Sequence, residues 1–457
     1  MKYNVAVLGG GPGGYEAAIR CAQYGLKTIL IEAGELGGTC LNRGCIPTKS
    51  LLHCAEFYYT IHNAKKFGID LSVNSFDFGE MISRKDIIVS KLRRGIEYLE
   101  KSHDVDVKKG YGMLKDTNTI DVGGEIITAD KIILATGSVP VKPPIRGIDE
   151  ENVLTSDDVL SLTTGPKSMV IIGGGVIGIE FATLYAMLHC KVTVIEMMPS
   201  ILPGVDKEIV NALMQKLSKS GVEIVTGAKV TAIYGGETVL VDYKCAGESK
   251  QAKGNCCVVS VGRQPQTAGI GLETAGIREN HGFVEVNEEM RTNIPNIYAI
   301  GDITGKIQLA HVATAQGMVA AANCAGKKKR MDYKIVPACV YTSPEIAYVG
   351  ITEDAADRPV NVGTFNLAGN GKAIIMCEND GFVKIISDPE TGEILGAQML
   401  APRATDMIGE IAAVMRCEGT IEELSDTIHP HPTICEAIME AAHDSEGMCC
   451  NAPGKSK

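Results

Sequence analysis

At its amino terminus the hydrophobic pattern of the chain changes period twice. "NVAVL" (residues 4–8) is a short continuous apolar run, and "YEAAIRCAQYGLK" (15–27) gathers its apolar residues on a helical face. "TILIE" (28–32) is apolar again and ends on an acid. The pattern predicts strand, helix, strand. Between the first strand and the helix stands "GGGPGG" (9–14). In that spacing Gly9 makes the tight turn, Gly11 lets the backbone approach a pyrophosphate, and Gly14 lets the helix pack closely on the strand. Glu32 lies 23 residues after Gly9 (32 − 9), where a carboxylate accepts hydrogen bonds from ribose hydroxyls.

The pattern recurs in "SMVIIGGGVIGIEFATLYAMLHCKVTVIE" (168–196), with Gly173, Gly175 and Gly178 in the same roles. Glu196 follows Gly173 by the same 23 residues (196 − 173). One glycine fingerprint is also what a generic tight turn looks like. Two copies, each with strand, helix and acid at matched spacing, point to two dinucleotide sites. "IILATGSVP" (132–140) and "CVVSVGRQP" (257–265) each read as an apolar strand closed by Gly-x-x-Pro, the last strands of units spanning 1–145 and 146–265. Beyond Asp332, "ACVYTSPEIAYVG", "GFVKIISDP" and "ILGAQML" read as strands and "TDMIGEIAAVMRCEG" as a helix. The expected fold is α/β, with two Rossmann-like dinucleotide-binding domains and a C-terminal α+β domain.

Local charge suggests which nucleotide binds where. Glu196 is followed by Met197 and Met198, and no lysine or arginine appears before Lys207. A 2′-phosphate would meet a carboxylate and no local cation, so NAD is expected at the second site. A nicotinamide beside another dinucleotide suggests FAD at the first, because a flavin accepts hydride and also reacts with thiols.

Composition narrows the class. A formal charge of −11 argues against binding nucleic acid or anionic lipid, and no apolar run reaches membrane-span length. The first residues carry a lysine and apolar positions, but the run is too short for a signal peptide and leads into glycines, so a cytoplasmic protein is expected. Fifteen cysteines in a chain of 457 residues without an export signal do not suggest a structural disulfide framework.

Two of those cysteines need a separate account. "GELGGTCLNRGCIPTKSLL" (34–52) puts Cys40 and Cys45 in a glycine-rich stretch before a proline. In a regular helix such residues are rotated by about 140° and displaced by about 7.5 Å along the axis. Gly37, Gly38, Gly44 and Pro47 favour a distorted turn entering a helix instead. A thiol at a helix start is stabilised as thiolate, and Lys49 on the same face adds a cation. The other readings of the residues are two buried reduced cysteines or half of a metal site, but no cysteine–histidine cluster of zinc spacing lies nearby and no metal is expected. Near the other end, "HPHPTICEA" offers a proton acceptor. Pro432 suits the first position of a helix, which would put His431 at its start with Glu436 reaching back to orient the imidazole. A loop histidine or a His-x-His metal pair are the other readings of the same residues.

"GGTCLNRGCIPTK", placed just after the first nucleotide acid, resembles the redox-active disulfide of the flavoprotein disulfide reductases, and the likeness runs from Val5 to about Ala442. The resemblance implies FAD and NAD domains, a return segment (266–332) completing the FAD domain, and a dimerisation domain (333–457). It implies a Cys40–Cys45 disulfide, with Cys45 against the flavin and Cys40 as the interchange thiol. Lys49 would pair with Glu180 near the flavin, Asp302 in "IYAIGDIT" would bind the ribitol beside Ala310, and Gly112 would approach the adenosine. Gly38, Thr39, Thr136, Gly137 and Gly262 would complete the cofactor contacts. His431 with Glu436 would act as base from the other subunit, making a homodimer with shared sites. "ILGAQMLAPRATDMIGEIAAVM" resembles the branch that oxidises dihydrolipoyl groups, so the expected partner is a lipoyl-bearing protein of a 2-oxo acid dehydrogenase complex or the glycine cleavage system. Arg43 between the cysteines and Pro430 between the histidines depart from that branch. The tail "GMCCNAPGKSK" places Cys449 and Cys450 where mercuric-type reductases carry vicinal thiols, which keeps a sibling reductase as the alternative. A non-catalytic FAD/NAD redox sensor or scaffold is the reading from outside enzymology.

Overall fold

The computed structural model describes residues 2–453. The chain opens with β1 (Lys2–Leu8), α1 (Pro12–Gln23), β2 (Thr28–Glu32), α2 (Gly38–Arg43), α3 (Cys45–His62) and α4 (Phe78–Ser102). Strands β3 (Asp106–Lys109), β4 (Gly112–Leu114), β5 (Thr119–Val122) and β6 (Glu125–Leu134) follow. The sheet order is β3-β2-β1-β6-β5-β4, parallel from β3 to β6 and antiparallel beyond. Along β1, Val5 and Val7 enter one hydrophobic cluster while Ala6 and Leu8 enter another. Both faces of the strand are therefore covered, which is why it is apolar throughout instead of alternating.

After the short strand β7 (Ser138–Pro140) comes a second unit. It contains β8 (Val153–Thr155), α5 (Ser156–Val159), β9 (Ser168–Ile172), α6 (Val176–Met187), β10 (Lys191–Ile195), α7 (Lys207–Lys219) and β11 (Glu223–Val225). Then follow β12 (Ala228–Tyr234), β13 (Val239–Cys245), β14 (Glu248–Gly254) and β15 (Cys256–Val259). Strands β11-β10-β9-β15-β8 form a parallel sheet, with β12-β13-β14 an antiparallel meander. The chain then re-crosses through β16 (Arg263–Pro265), which pairs antiparallel with β7. This two-stranded ribbon joins the two units.

A small hairpin, β17 (Glu279–Asn280) and β18 (Phe283–Val284), precedes β19 (Ile297–Ala299), which lies parallel beside β6 in the first sheet. Helix α8 (Ala310–Cys324) packs on α1 at backbone distance. A Cβ on Gly13 would stand 2.7 Å from the Ala313 carbonyl oxygen, and one on Gly317 2.6 Å from that of Gly13. Only glycine fits at that crossing.

The last third forms β20 (Ala338–Val340), β21 (Glu345–Gly350), β22 (Asn361–Asn366), α9 (Gly371–Met376), β23 (Phe382–Ser387) and β24 (Ile394–Ala401). Helices α10 (Ala404–Arg416), α11 (Ile421–Asp426) and α12 (Glu436–Ser445) follow. The antiparallel order is β20-β21-β24-β23-β22. One face meets α10 and α12 through Ala347, Met399, Ile408 and Ile438, while Ile346 and Leu400 on the other join the core around α6. The buried Lys384 ammonium, 3.1 Å from Asp206, ties this sheet to the second unit.

Candidate active site

The two glycine turns face each other across a single cavity of about 1890 Å³. That is roughly twice the upper size of an ordinary small-molecule pocket. Every cofactor or redox residue named from the sequence lines it except Gly178, His431, Glu436 and the tail thiols Cys449 and Cys450.

Each cradle is built the same way. Gly9 and Gly173 both turn at φ +109°, and a Cβ would lie 2.3 Å from the Ala135 oxygen or 2.5 Å from the Ser260 oxygen. Gly14 and Gly178 pack beneath them, where a Cβ would fall 1.9 Å and 2.1 Å from the carbonyl oxygens of Gly9 and Gly173. Gly178 is thus a packing residue behind the wall of the cavity. Helices α1 and α6 begin at Gly11 and Gly175 with no side-chain cap and no acid in the first turn. Their free N–H groups and positive helix ends suit the phosphates of a dinucleotide. The Glu32 carboxylate accepts from the Gly10 and Gly34 N–H groups, both at 2.6 Å. Glu196 repeats the clasp with Gly174 at 2.5 Å and Met198 at 2.6 Å. The residues present therefore fit two dinucleotides. Lys229, on β12, also lines the second cradle, a cation that counting along the local sequence could not find.

The redox turn roofs the first cradle. Helix α2 ends at Arg43, Gly44 breaks the backbone at φ −150° and ψ −109°, and α3 starts on Cys45. Cys40 and Cys45 are both free thiols here, the reduced form of the pair that the resemblance implies. The two thiols are hydrogen-bonded to one another, Cys40 as donor and the Cys45 sulfur as acceptor. That hydrogen bond, with the Lys49 ammonium behind it, draws the Cys45 thiol down to about 7 although burial opposes it. The same contact and its own burial push Cys40 up. Lys49 Nζ lies 2.9 and 2.7 Å from the two Glu180 oxygens, and Glu180 is 4% exposed. The Tyr341 N–H also donates to Glu180, and Lys49 sits 4.3 Å over the Tyr341 ring. Such partners offset the cost of taking a carboxylate out of water.

Also on the cavity lining, Asp302 accepts the Ser138 hydroxyl at 2.5 Å, and Ser138 in turn accepts Arg263 Nε at 2.8 Å. Ser138, Arg263 and Tyr341 were not singled out from the sequence. The only hint was that Ser138 and Arg263 each follow the glycine of a Gly-x-x-Pro strand end.

His431 and Glu436 lie on the C-terminal domain, outside the cavity. His431 Nδ1 is 2.8 Å from Glu436 Oε1, and the Thr433 N–H donates to Glu436 Oε2 at 2.8 Å. Burial pushes the Glu436 carboxyl up, but the Thr433 N–H and His431 together hold it below the usual range. The expected helix start at Pro432 is corrected. The His431–Pro432 bond is cis, and α12 begins only at Glu436, because the Glu436 carboxylate closes a turn onto the Thr433 N–H instead. His429 Nε2 meets Glu410 at 2.7 Å and its Nδ1 the Thr427 carbonyl at 2.9 Å, so both ring nitrogens are engaged and the two histidines do not share a metal. Among the described residues no group of three or more His, Cys, Asp or Glu side chains could hold a metal ion. No helix among them is long and apolar enough to cross a membrane.

The tail is docked at least as far as Cys449. That thiol donates to the buried Glu440 carboxylate at 3.0 Å and is pushed up to about 11, by burial first and by Glu440 second. Cys450 is exposed, and residues 454–457 of the quoted tail lie outside the described residues.

Comparison with known proteins bears on the same site. The pyridine nucleotide-disulphide oxidoreductase profile matches residues 3–317, and the dimerisation domain of that group matches residues 336–442. The chain belongs to this family of FAD- and NAD(P)-dependent disulfide oxidoreductases, and its C-terminal domain indicates a homodimer. A dihydrolipoyl dehydrogenase of Bacillus subtilis is 42% identical over 98% of this chain and 98% of its own length. One of Chlamydia pneumoniae is 41% identical over the full length of both. Among solved structures, LpdA from Mycobacterium tuberculosis aligns with a TM-score of 0.90 at 29% identity, covering 96% of this chain and 99% of its own. The HOCl-induced flavoprotein disulfide reductase RclA from Escherichia coli aligns with a TM-score of 0.87 at 31% identity, covering 95% and 98%.

Proposed function

We propose that the chain is a cytoplasmic dihydrolipoyl dehydrogenase that oxidises protein-bound dihydrolipoyl groups and reduces NAD+. The observation that carries this reading is a thiol drawn down to about 7, Cys45, beside Lys49 in the cavity shared by two dinucleotide cradles. The whole-length likeness to dihydrolipoyl dehydrogenases supports the substrate class. The Glu196 carboxylate at the second cradle supports NAD over NADP.

In this mechanism His431 of the partner subunit, oriented by Glu436, takes a proton from one dihydrolipoyl thiol. The thiolate attacks Cys40 of the Cys40–Cys45 disulfide. The S–S bond breaks, and Cys45 leaves as a thiolate, which its lowered pKa favours. The second substrate thiol then attacks the substrate sulfur of the mixed disulfide, its proton passing to Cys40, which leaves as a thiol while the oxidised lipoyl ring closes. FAD, held by Gly9, Gly11, Gly14, Glu32, Gly38, Thr39, Gly112, Thr136, Gly137, Asp302 and Ala310, supplies two-electron chemistry between thiols and nicotinamide. Gly173, Gly175, Gly178, Glu196 and Gly262 form the NAD side. Lys49 holds positive charge beside the Cys45 thiolate, and Glu180 keeps Lys49 in place. The lipoyl group arrives on a separate carrier protein of a 2-oxo acid dehydrogenase complex or the glycine cleavage system.

The test is NADH and NADPH oxidation by the purified protein, with lipoamide, oxidised glutathione and Hg(II) as separate acceptors. Fast turnover with NADH and lipoamide is expected. Turnover confined to glutathione or Hg(II) would replace the lipoyl reading with a sibling reductase. A flavin that NADH fails to reduce would leave a binding protein.

A further inference from the structure

Arg263 sits where the chain re-crosses between the units, on β16 opposite Pro140 of β7. Its side chain is 12% exposed, and its guanidinium reaches in three directions. Nε donates to Ser138 Oγ and Nη2 to the Ser138 carbonyl, both at 2.8 Å. Nη2 also reaches Thr39 Oγ1 at 3.4 Å, the residue next to Cys40. Nη1 lies 4.0 Å from Asp157 Oδ1, and the other oxygen of Asp157 lies 3.8 Å from Arg43 Nε on the redox turn.

This arrangement settles the orientation of a hydroxyl. Ser138 Oγ already accepts from Arg263, so its own proton goes to Asp302 Oδ2 at 2.5 Å. One oxygen of Asp302 is thereby engaged and the carboxylate plane is held. The same guanidinium touches Thr39 at the start of the redox helix. We propose that Arg263 is a positioning residue that keeps the Asp302 carboxylate and the redox turn in register, acting through Ser138 and Thr39 and with Asp157 balancing its charge. The proposal rests on the reading that Asp302 contacts the flavin. A lysine would keep the charge but lose the planar fork, which alone can donate to Ser138 twice and to Thr39 at once.

The experiment uses the purified holoenzyme and three readouts. These are the FAD release rate by flavin fluorescence, kcat and KM for NADH with lipoamide, and the iodoacetamide alkylation rate of the reduced enzyme. Arg263→Gln is expected to speed FAD release roughly ten- to hundredfold, as for loss of a charge-assisted buried hydrogen bond. It should lower kcat while leaving the KM for NADH unchanged, and speed alkylation by about threefold as the turn loosens. Arg263→Lys should rescue only part of each effect. Ser138→Ala should speed FAD release, and the Arg263→Gln Ser138→Ala pair should exceed the larger single effect only slightly, because one acts through the other. Fully additive effects, or unchanged FAD release in Arg263→Gln, would overturn the proposal. Asp302→Ala separates the two layers. If it speeds FAD release while Arg263→Gln and Ser138→Ala do not, positioning by Arg263 is wrong and the flavin site stands. If none of the three changes FAD release, the assignment of Asp302 to the flavin falls as well. Should Arg263→Gln fail to fold, Arg263→Lys and Ser138→Ala carry the same comparison.

Discussion

In the first cradle the redox turn lies directly on the glycine loop. A Cβ on Gly38 would stand 2.6 Å from Gly11 Cα, and α8 closes the side of α1 through Gly13 and Gly317. In the second cradle a Cβ on Gly175 would meet nothing within 4 Å, and Val176 beside it is 39% exposed. The turns themselves are nearly superimposable in their constraints, with the same positive φ, the same buried third glycine and the same acid clasp. What differs is the covering. A roofed cradle suits a group that stays through many turnovers, and an open one suits a cosubstrate that must leave after each. The same local motif thus serves residence or exchange according to what the rest of the chain lays over it.

Five substitutions would break or sharpen that contrast. The largest effect is expected from Cys45→Ser in the roof, where lipoamide turnover should fall by roughly a thousandfold or more while NADH still reduces the flavin. Loss of flavin reduction as well would mean that the roof also builds the open cradle. Next comes His431→Gln, expected to slow dihydrolipoamide oxidation by about a hundred- to ten-thousandfold. Mixed dimers of Cys45→Ser and His431→Gln chains should recover activity at one of their two sites, and no recovery would argue that the base acts within its own chain.

A smaller effect tests the two turns side by side. Gly175→Ala should raise the KM for NADH by roughly tenfold, about 1.4 kcal/mol, with FAD fully retained. Gly11→Ala should instead lower FAD content, and equal behaviour of the two variants would erase the distinction between roofed and open. The smallest concerns pH. Only the thiolate is alkylated, so the iodoacetamide rate of the reduced enzyme should rise through a midpoint of about 7 and level off above it. Lys49→Met removes a charge that lowers the Cys45 pKa, so the midpoint should move up by about one unit. A midpoint that stays in place would remove Lys49 from the account.

The parts legible in the sequence were those whose physics is local. A positive φ at Gly9 belongs to one residue, and the close approach at Gly14 is to the Gly9 carbonyl five residues earlier, so their spacing alone reports them. The break at Gly44 is of the same kind. The helix start near His431 was misjudged because proline at a first helical position and proline in a cis turn leave the same mark on the sequence, and the Glu436 carboxylate decided between them. Lys229 escaped notice because it reaches the second cradle from a different strand.

By itself, then, the sequence determined two nucleotide cradles, their acids and a thiol pair at a helix start, since each depends on backbone geometry within a short stretch. Tertiary structure alone decided which distant side chains Arg263 meets: Ser138 across 125 residues and Thr39 across 224. It also decided that one cradle is covered and the other open, and that His431 stands apart from the thiols of its own chain. Such pairings follow from which surfaces fold against each other and lose their water, and no local periodicity encodes that.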